Sequence, residues 1–138
     1  MSDLADRPVD SLSGGQRQRV WISMTLAQGT DLLLLDEPTT YLDLAHAIDV
    51  LDLVDDLHES GGCTVVMVLH DLNLATRYSD NLVVMREGGA ILAQGHPRDV
   101  ITAELLDEAF GLRAKVIEDP VGDRPLIVPI GRTHVQLN

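Results

Sequence analysis

At 138 residues the chain has room for one domain with its own core, and its 45% apolar and 23% charged content excludes wholesale disorder. No apolar run approaches the length of a bilayer span, and the first residues do not resemble a signal peptide. A formal charge of −12, with Lys115 the single lysine, argues against a nucleic-acid or anionic-lipid surface, while the one cysteine, Cys63, permits no internal disulfide and fits a reducing, cytoplasmic setting.

The first stretch, through Asp10, is polar and irregular, with Pro8 breaking any helix. Ser13 is a good N-cap for a helix to about Gln28, Gln16 stands where a capping box is completed, and Gly29 supplies the stop. Leu32 to Leu35, running into Asp36, reads as a strand buried on both faces. Pro38, Thr39 and Thr40 make a turn, and Asp43 caps an amphipathic helix that reaches Ser60 and stops at Gly61-Gly62. Its apolar face carries Leu44, Ile48, Leu51, Val54 and Leu57, and its acidic stripe carries Asp49, Asp52, Asp56 and Glu59. Such a stripe reads as a solvated face, because open carboxylates lack the enclosure a cation site needs.

Cys63 to Leu69 is a second buried strand, closing on His70 and opened by a core thiol. A short helix from about Asp71 to Tyr78 precedes a third strand, Asn81 to Met85. This alternation implies a parallel sheet with helices packed on it. Gly88-Gly89 then joins two strands as a hairpin, and Pro97 to Gly111 reads as two short helices. Lys115 to Ile130 reads as a strand pair turning over Asp119 to Asp123. Trp21 is expected to pack inside the first helix. His46, His58, His96 and His134 are dispersed, without ligand spacing.

Three elements carry chemistry. Functional groups of a parallel sheet gather at the carboxyl ends of its strands, where Asp36 is placed to hold Mg²⁺ and Glu37 to orient and deprotonate a water. His70 ends the neighbouring strand and is expected beside both acids, able to donate to a phosphate. Ser13 offers a hydroxyl, while Gly14 and Gly15 let backbone N–H groups approach an anion at a helix N-terminus. Each alone reads as an ordinary cap or turn; their order and separation point to nucleotide hydrolysis.

With those residues in view, the chain resembles the second half of an ATP-binding cassette (ABC) ATPase, the nucleotide-hydrolysing subunit of ABC transporters. Leu12-Ser13-Gly14-Gly15-Gln16 is similar to the signature motif, and Arg17-Gln18-Arg19-Val20 to its continuation. Leu32 to Glu37 is similar to Walker B with its catalytic glutamate, Thr40-Tyr41-Leu42-Asp43 to the D-loop and His70 to the H-loop. Leu4 to Asp10, Asp36 to His46, Val68 to Ala75 and the ending from Asp119 to Gly131 are similar to importers of ferric siderophores, ferric citrate and vitamin B12. The resemblance implies an α/β fold: a partial P-loop NTPase (RecA-like) parallel sheet with flanking helices and C-terminal hairpin strands. It implies ATP and Mg²⁺ as cofactors. Ser13, Gly14, Gly15 and Gln16 would serve the γ-phosphate of ATP held by the opposite subunit of a head-to-tail dimer. Glu37 would be the general base, Asp36 the Mg²⁺ ligand, His70 a γ-phosphate contact and Asp43 a link across the dimer. Arg17 and Arg19 would stabilise the signature helix, and Thr39, Thr40 and Tyr41 would shape the turn that aims Asp43. Transmembrane permease subunits and a substrate-binding protein would be further partners, with the ATPase peripheral on the cytoplasmic face of the membrane.

No Gly-x-x-x-x-Gly-Lys-Ser/Thr occurs in these residues, yet that loop cradles the phosphates of ATP. Residues 1–138 are therefore expected to be the C-terminal part of one ABC ATPase domain, with the P-loop strand missing and no turnover by this chain alone. In the family's sheet that strand lies between those ending at His70 and Met85, so exposed edges are expected to favour self-association. Two other readings are a non-catalytic fragment that pairs with a complete cassette and a soluble ABC ATPase acting on DNA or ribosomes. Acidic charge and the lack of a coiled-coil arm or second cassette weigh against the latter.

Overall fold

The computed structural model describes residues 2–133, so His134 lies outside the described residues. The chain divides into two compact units, Met1–His70 and Asp71–Asn138.

In the first unit, α1 (Gly14–Ala27) starts where Ser13 and Gln16 exchange side-chain bonds: Ser13 Oγ accepts from Gln16 N at 3.2 Å and Gln16 Oε1 accepts from Ser13 N at 3.1 Å. The capping box expected from the sequence is therefore formed. Replacing Ser13 by Ala should cost about 0.5–2 kcal/mol in chemical denaturation, the usual value of a lost cap. Strand β1 (Leu32–Asp36) follows, then α2 (Leu44–Gly61), capped by Asp43 and closed by Gly62 at φ 65°, and then β2 (Thr64–Val68). β1 and β2 pair in parallel, Leu32 with Thr64 through Asp36 with Val68. That register brings the residues after both strands to one rim.

The core of this unit is Ile22, Val50 and Val54, with Leu26, Leu35, Val65 and Met67 packed against them. Three expectations need correction. The strands are covered on one face: Leu33 is 1% exposed, whereas Leu32, Leu34, Val66 and Val68 are each at least half exposed. Both helices here lie on the Leu33/Leu35 side, and strand alternation turns every second residue away from it. On α2 the buried stripe is Ala47, Val50, Leu51 and Val54, with Leu44 exposed, because the helix packs against α1 as well as β2. Trp21 is 53% exposed; its neighbour Ile22 takes the inward position, and successive helical residues point about 100° apart. Cys63 is buried, as expected.

The acidic stripe of α2 is exposed, and Asp49 binds Arg19 of α1 at 2.5 Å. Arg17 in turn donates to the Asp10 carbonyl at 3.3 Å. Both arginines therefore anchor the first helix.

The second unit opens with α3 (Leu72–Tyr78), capped by Asp71. β3 (Leu82–Met85) and β4 (Ile91–Gly95) form an antiparallel hairpin, and Gly88 and Gly89 supply the positive φ its turn requires. Two short helices, α4 (Pro97–Val100) and α5 (Ala103–Phe110), lead to the antiparallel pair β5 (Leu112–Glu118) and β6 (Pro125–Arg132). Ile101, Leu106, Ala114 and Ile127 make its core. Asn73 pins α3 to β6 by donating to the Ile127 carbonyl at 3.0 Å and accepting from its N–H at 2.8 Å. Among the described residues β2 pairs with β1 alone and β3 with β4 alone, so the parallel sheet is two strands wide.

Candidate functional site

The residues singled out in the sequence all lie in the first unit and fall into two groups. The first sits at the carboxyl ends of β1 and β2. Glu37 follows β1 directly, with its N–H donating to the Val68 carbonyl at 3.1 Å and its own carbonyl accepting from Thr40 N at 3.2 Å. These bonds hold Glu37 at φ 50°, a left-handed conformation that L-residues avoid and that side chains at working sites often adopt. His70 comes off the end of β2, and its Nε2 lies 2.5 Å from Glu37 Oε1. An ionised carboxylate only accepts, so Nε2 carries the proton in this pair. Thr40 Oγ1 donates to the other carboxylate oxygen at 3.3 Å.

The His70 hydrogen bond and then its charge hold the Glu37 carboxyl below the usual glutamate range against the opposing effect of burial, with the Thr40 bond the smallest contribution. Glu37 is thus an ionised, oriented acceptor that remains open to water. The expected meeting of His70 with both acids is half realised. Asp36 is aligned with Val68 as the exposed last residue of β1 and takes no part in the bond between His70 and Glu37.

The second group surrounds the start of α1. Gly15 is buried, and a Cβ placed on it would stand 3.1 Å from His46 Cδ2; Gly14 has open space on that side. Nδ1 of His46 lies 2.8 Å from each Asp43 carboxylate oxygen, and the His46 backbone N–H donates to Oδ1 at 2.9 Å. These contacts, the backbone N–H foremost, hold the Asp43 carboxyl below the usual aspartate range. Tyr41, fully exposed at φ 65°, completes the turn before Asp43.

Sequence reading overlooked His46 by asking only about metal spacing. Its signal was present: Asp43-x-x-His46 has the N-cap to N3 separation of a capping pair. Thr40 was assigned to the turn, and the structure adds its bond to Glu37.

The description "ABC transporter" belongs to the family model that matches residues 1–40. The ferric enterobactin transport ATP-binding protein of Escherichia coli (strain K12) is 55% identical over 133 residues, spanning 96% of this chain and 49% of that protein. Among solved structures, an inward-facing putative metal-chelate type ABC transporter superposes with a TM-score of 0.83 at 33% identity, over 94% of this chain and 52% of that one. A dimeric post-hydrolysis ATP-binding cassette bound to ADP and Pi gives 0.59 at 33% identity, over 70% and 40% respectively. The chain spans about half the length of the curated relatives it matches.

Proposed function

The chain belongs to the ABC transporter ATP-binding family, its relatives including siderophore transport ATP-binding proteins, and on that premise we propose that it is the signature-bearing part of the ATP-hydrolysing subunit of a ferric siderophore importer. The observation that carries the reading is the His70–Glu37 pair on the rim of the two parallel strands. An ionised carboxylate held by two donors and open to solvent is equipped to take a proton from a water.

In this reading Glu37 is the general base. His70 serves the γ-phosphate by redirecting Nε2 from Glu37 to a phosphate oxygen, since one N–H cannot serve both acceptors at full strength. The turn carrying Ser13, Gly14, Gly15 and Gln16 is offered to ATP on a second ATPase subunit in a head-to-tail dimer, and Asp43 links the two across that interface. Membrane permeases and a substrate-binding protein complete the assembly, with the ATPase on the cytoplasmic face.

Asp36 suits Mg²⁺. No group of three or more His, Cys, Asp or Glu among the described residues encloses a metal, and Mg²⁺ characteristically takes one or two carboxylates with waters and phosphate oxygens rather than a protein cage. When bound with ATP, the ion would neutralise phosphate charge.

The test is ATP hydrolysis by a cassette carrying these residues, reconstituted with its permease. A ferric siderophore presented on its binding protein is expected to stimulate turnover; no stimulation by any ferric siderophore overturns the import reading. A polypeptide of residues 1–138 alone is expected to hydrolyse no ATP, and stoichiometric turnover by it, free of contaminating enzyme, would overturn that expectation.

A further inference from the structure

We propose that His46 is a positioning residue that ties the Ser13–Gln16 turn to the Asp43 turn, so that both meet a neighbouring subunit's nucleotide as one surface. Its purpose rests on the ATPase reading; its geometry does not.

The imidazole has two partners on opposite sides. Its Cδ2 edge lies against Gly15, where even a methyl group would come within 3.1 Å, tighter than nearly all such contacts. Its Nδ1 faces both oxygens of Asp43 at 2.8 Å. Gly15 begins α1 and Asp43 caps α2, so one ring bridges two helix starts far apart in sequence. Each end of the bridge is hydrogen-bonded within its own helix start. On α1, Ser13 and Gln16 are locked in their capping box; on α2, the His46 backbone N–H fixes the same carboxylate that its ring engages. A displacement of Asp43 is therefore passed to the ring, whose Cδ2 edge lies beside Gly15. A side chain at 15 would require the ring to give by a few tenths of an ångström, whereas 14 is open on this side.

Hydrogen exchange on the isotope-labelled chain tests the tie. Asp43→Asn should speed exchange of the Gln16 amide roughly three- to tenfold, within the range of energies seen between groups sharing a partner. In a His46→Ala background the same change should leave Gln16 unaltered. Equal acceleration in both backgrounds, or none in either, overturns the proposal. Gly15→Ala should likewise accelerate Gln16 exchange alone, and lose that effect with His46→Asn, which keeps a donor near the Nδ1 position but removes the ring edge.

Turnover supplies the functional readout. In the assembled ATPase, His46→Ala should lower kcat about tenfold, the scale of modest misplacement of catalytic groups, and His46→Asn, which keeps the donor to Asp43 but lacks the ring edge, should not recover that loss. Wild-type kcat in His46→Ala overturns the positioning role. Exchange coupling in a protein whose assembly shows no ATP turnover at all retains the tie and removes the ATPase reading.

Discussion

Glu37→Gln is expected to lower ATP turnover by about 10²–10⁴-fold in the assembled ATPase, the usual contribution of a general base. The amide preserves size and can still meet Thr40, so the loss reports proton acceptance rather than shape. Turnover within about threefold of wild type would remove Glu37 from the role of base, since general-base losses are far larger. The pH profile follows from the same geometry. Because His70 and Thr40 hold the Glu37 carboxyl below the ordinary glutamate range before ATP engages His70, the base of the nucleotide-free protein stays ionised into more acidic solution, and kcat/KM for ATP falls only as pH drops through that lowered value. His70→Ala removes the largest cause, so any residual activity should show its acid limb at higher pH. Stability has the same sign: whatever the pair contributes is present at neutral pH and lost as acid protonates Glu37. The backbone adds a separate test. Glu37→Gly and Glu37→Ala both delete the carboxylate, but only glycine relieves the φ of 50°, so the glycine variant should be the more stable by about 1–2 kcal/mol.

That strain marks the limit of what the sequence disclosed. Asp36-Glu37 at the end of an apolar run, and His70 at the end of another, were enough to place Glu37 and His70 on one rim, because parallel pairing brings strand ends together. The Ser13–Gln16 cap was equally legible, as was nearly every element boundary, because Gly29, Gly62 and Gly111 stand where helices stop. Burial was less legible. A run such as Leu32 to Leu35 gives the same pattern whether one face is covered or two, and α2 has two neighbours competing for its apolar side. The left-handed turn at Glu37 and the ring of His46 against Gly15 depend on contacts between segments remote in sequence, which no local pattern records.

Leu106→Ala should destabilise the second unit by about 2–5 kcal/mol, whereas Leu34→Ala should cost far less, although both remove the same atoms. Leu106 is wholly buried on α5 among Ile101, Ala114 and Ile127. Its removal loses transfer free energy and leaves a cavity that neighbouring chains fill only in part. Folded domains are stable by only about 5–15 kcal/mol, so this one truncation is a large fraction of the total. Leu34 is 68% exposed on the open face of β1, so its truncation removes area already in water and opens no void. Chemical denaturation of each variant, followed by a probe in each unit, checks the contrast. Equal losses would show that the Leu34 face is covered in solution, and a loss at Leu106 below about 1 kcal/mol would contradict its place in the core.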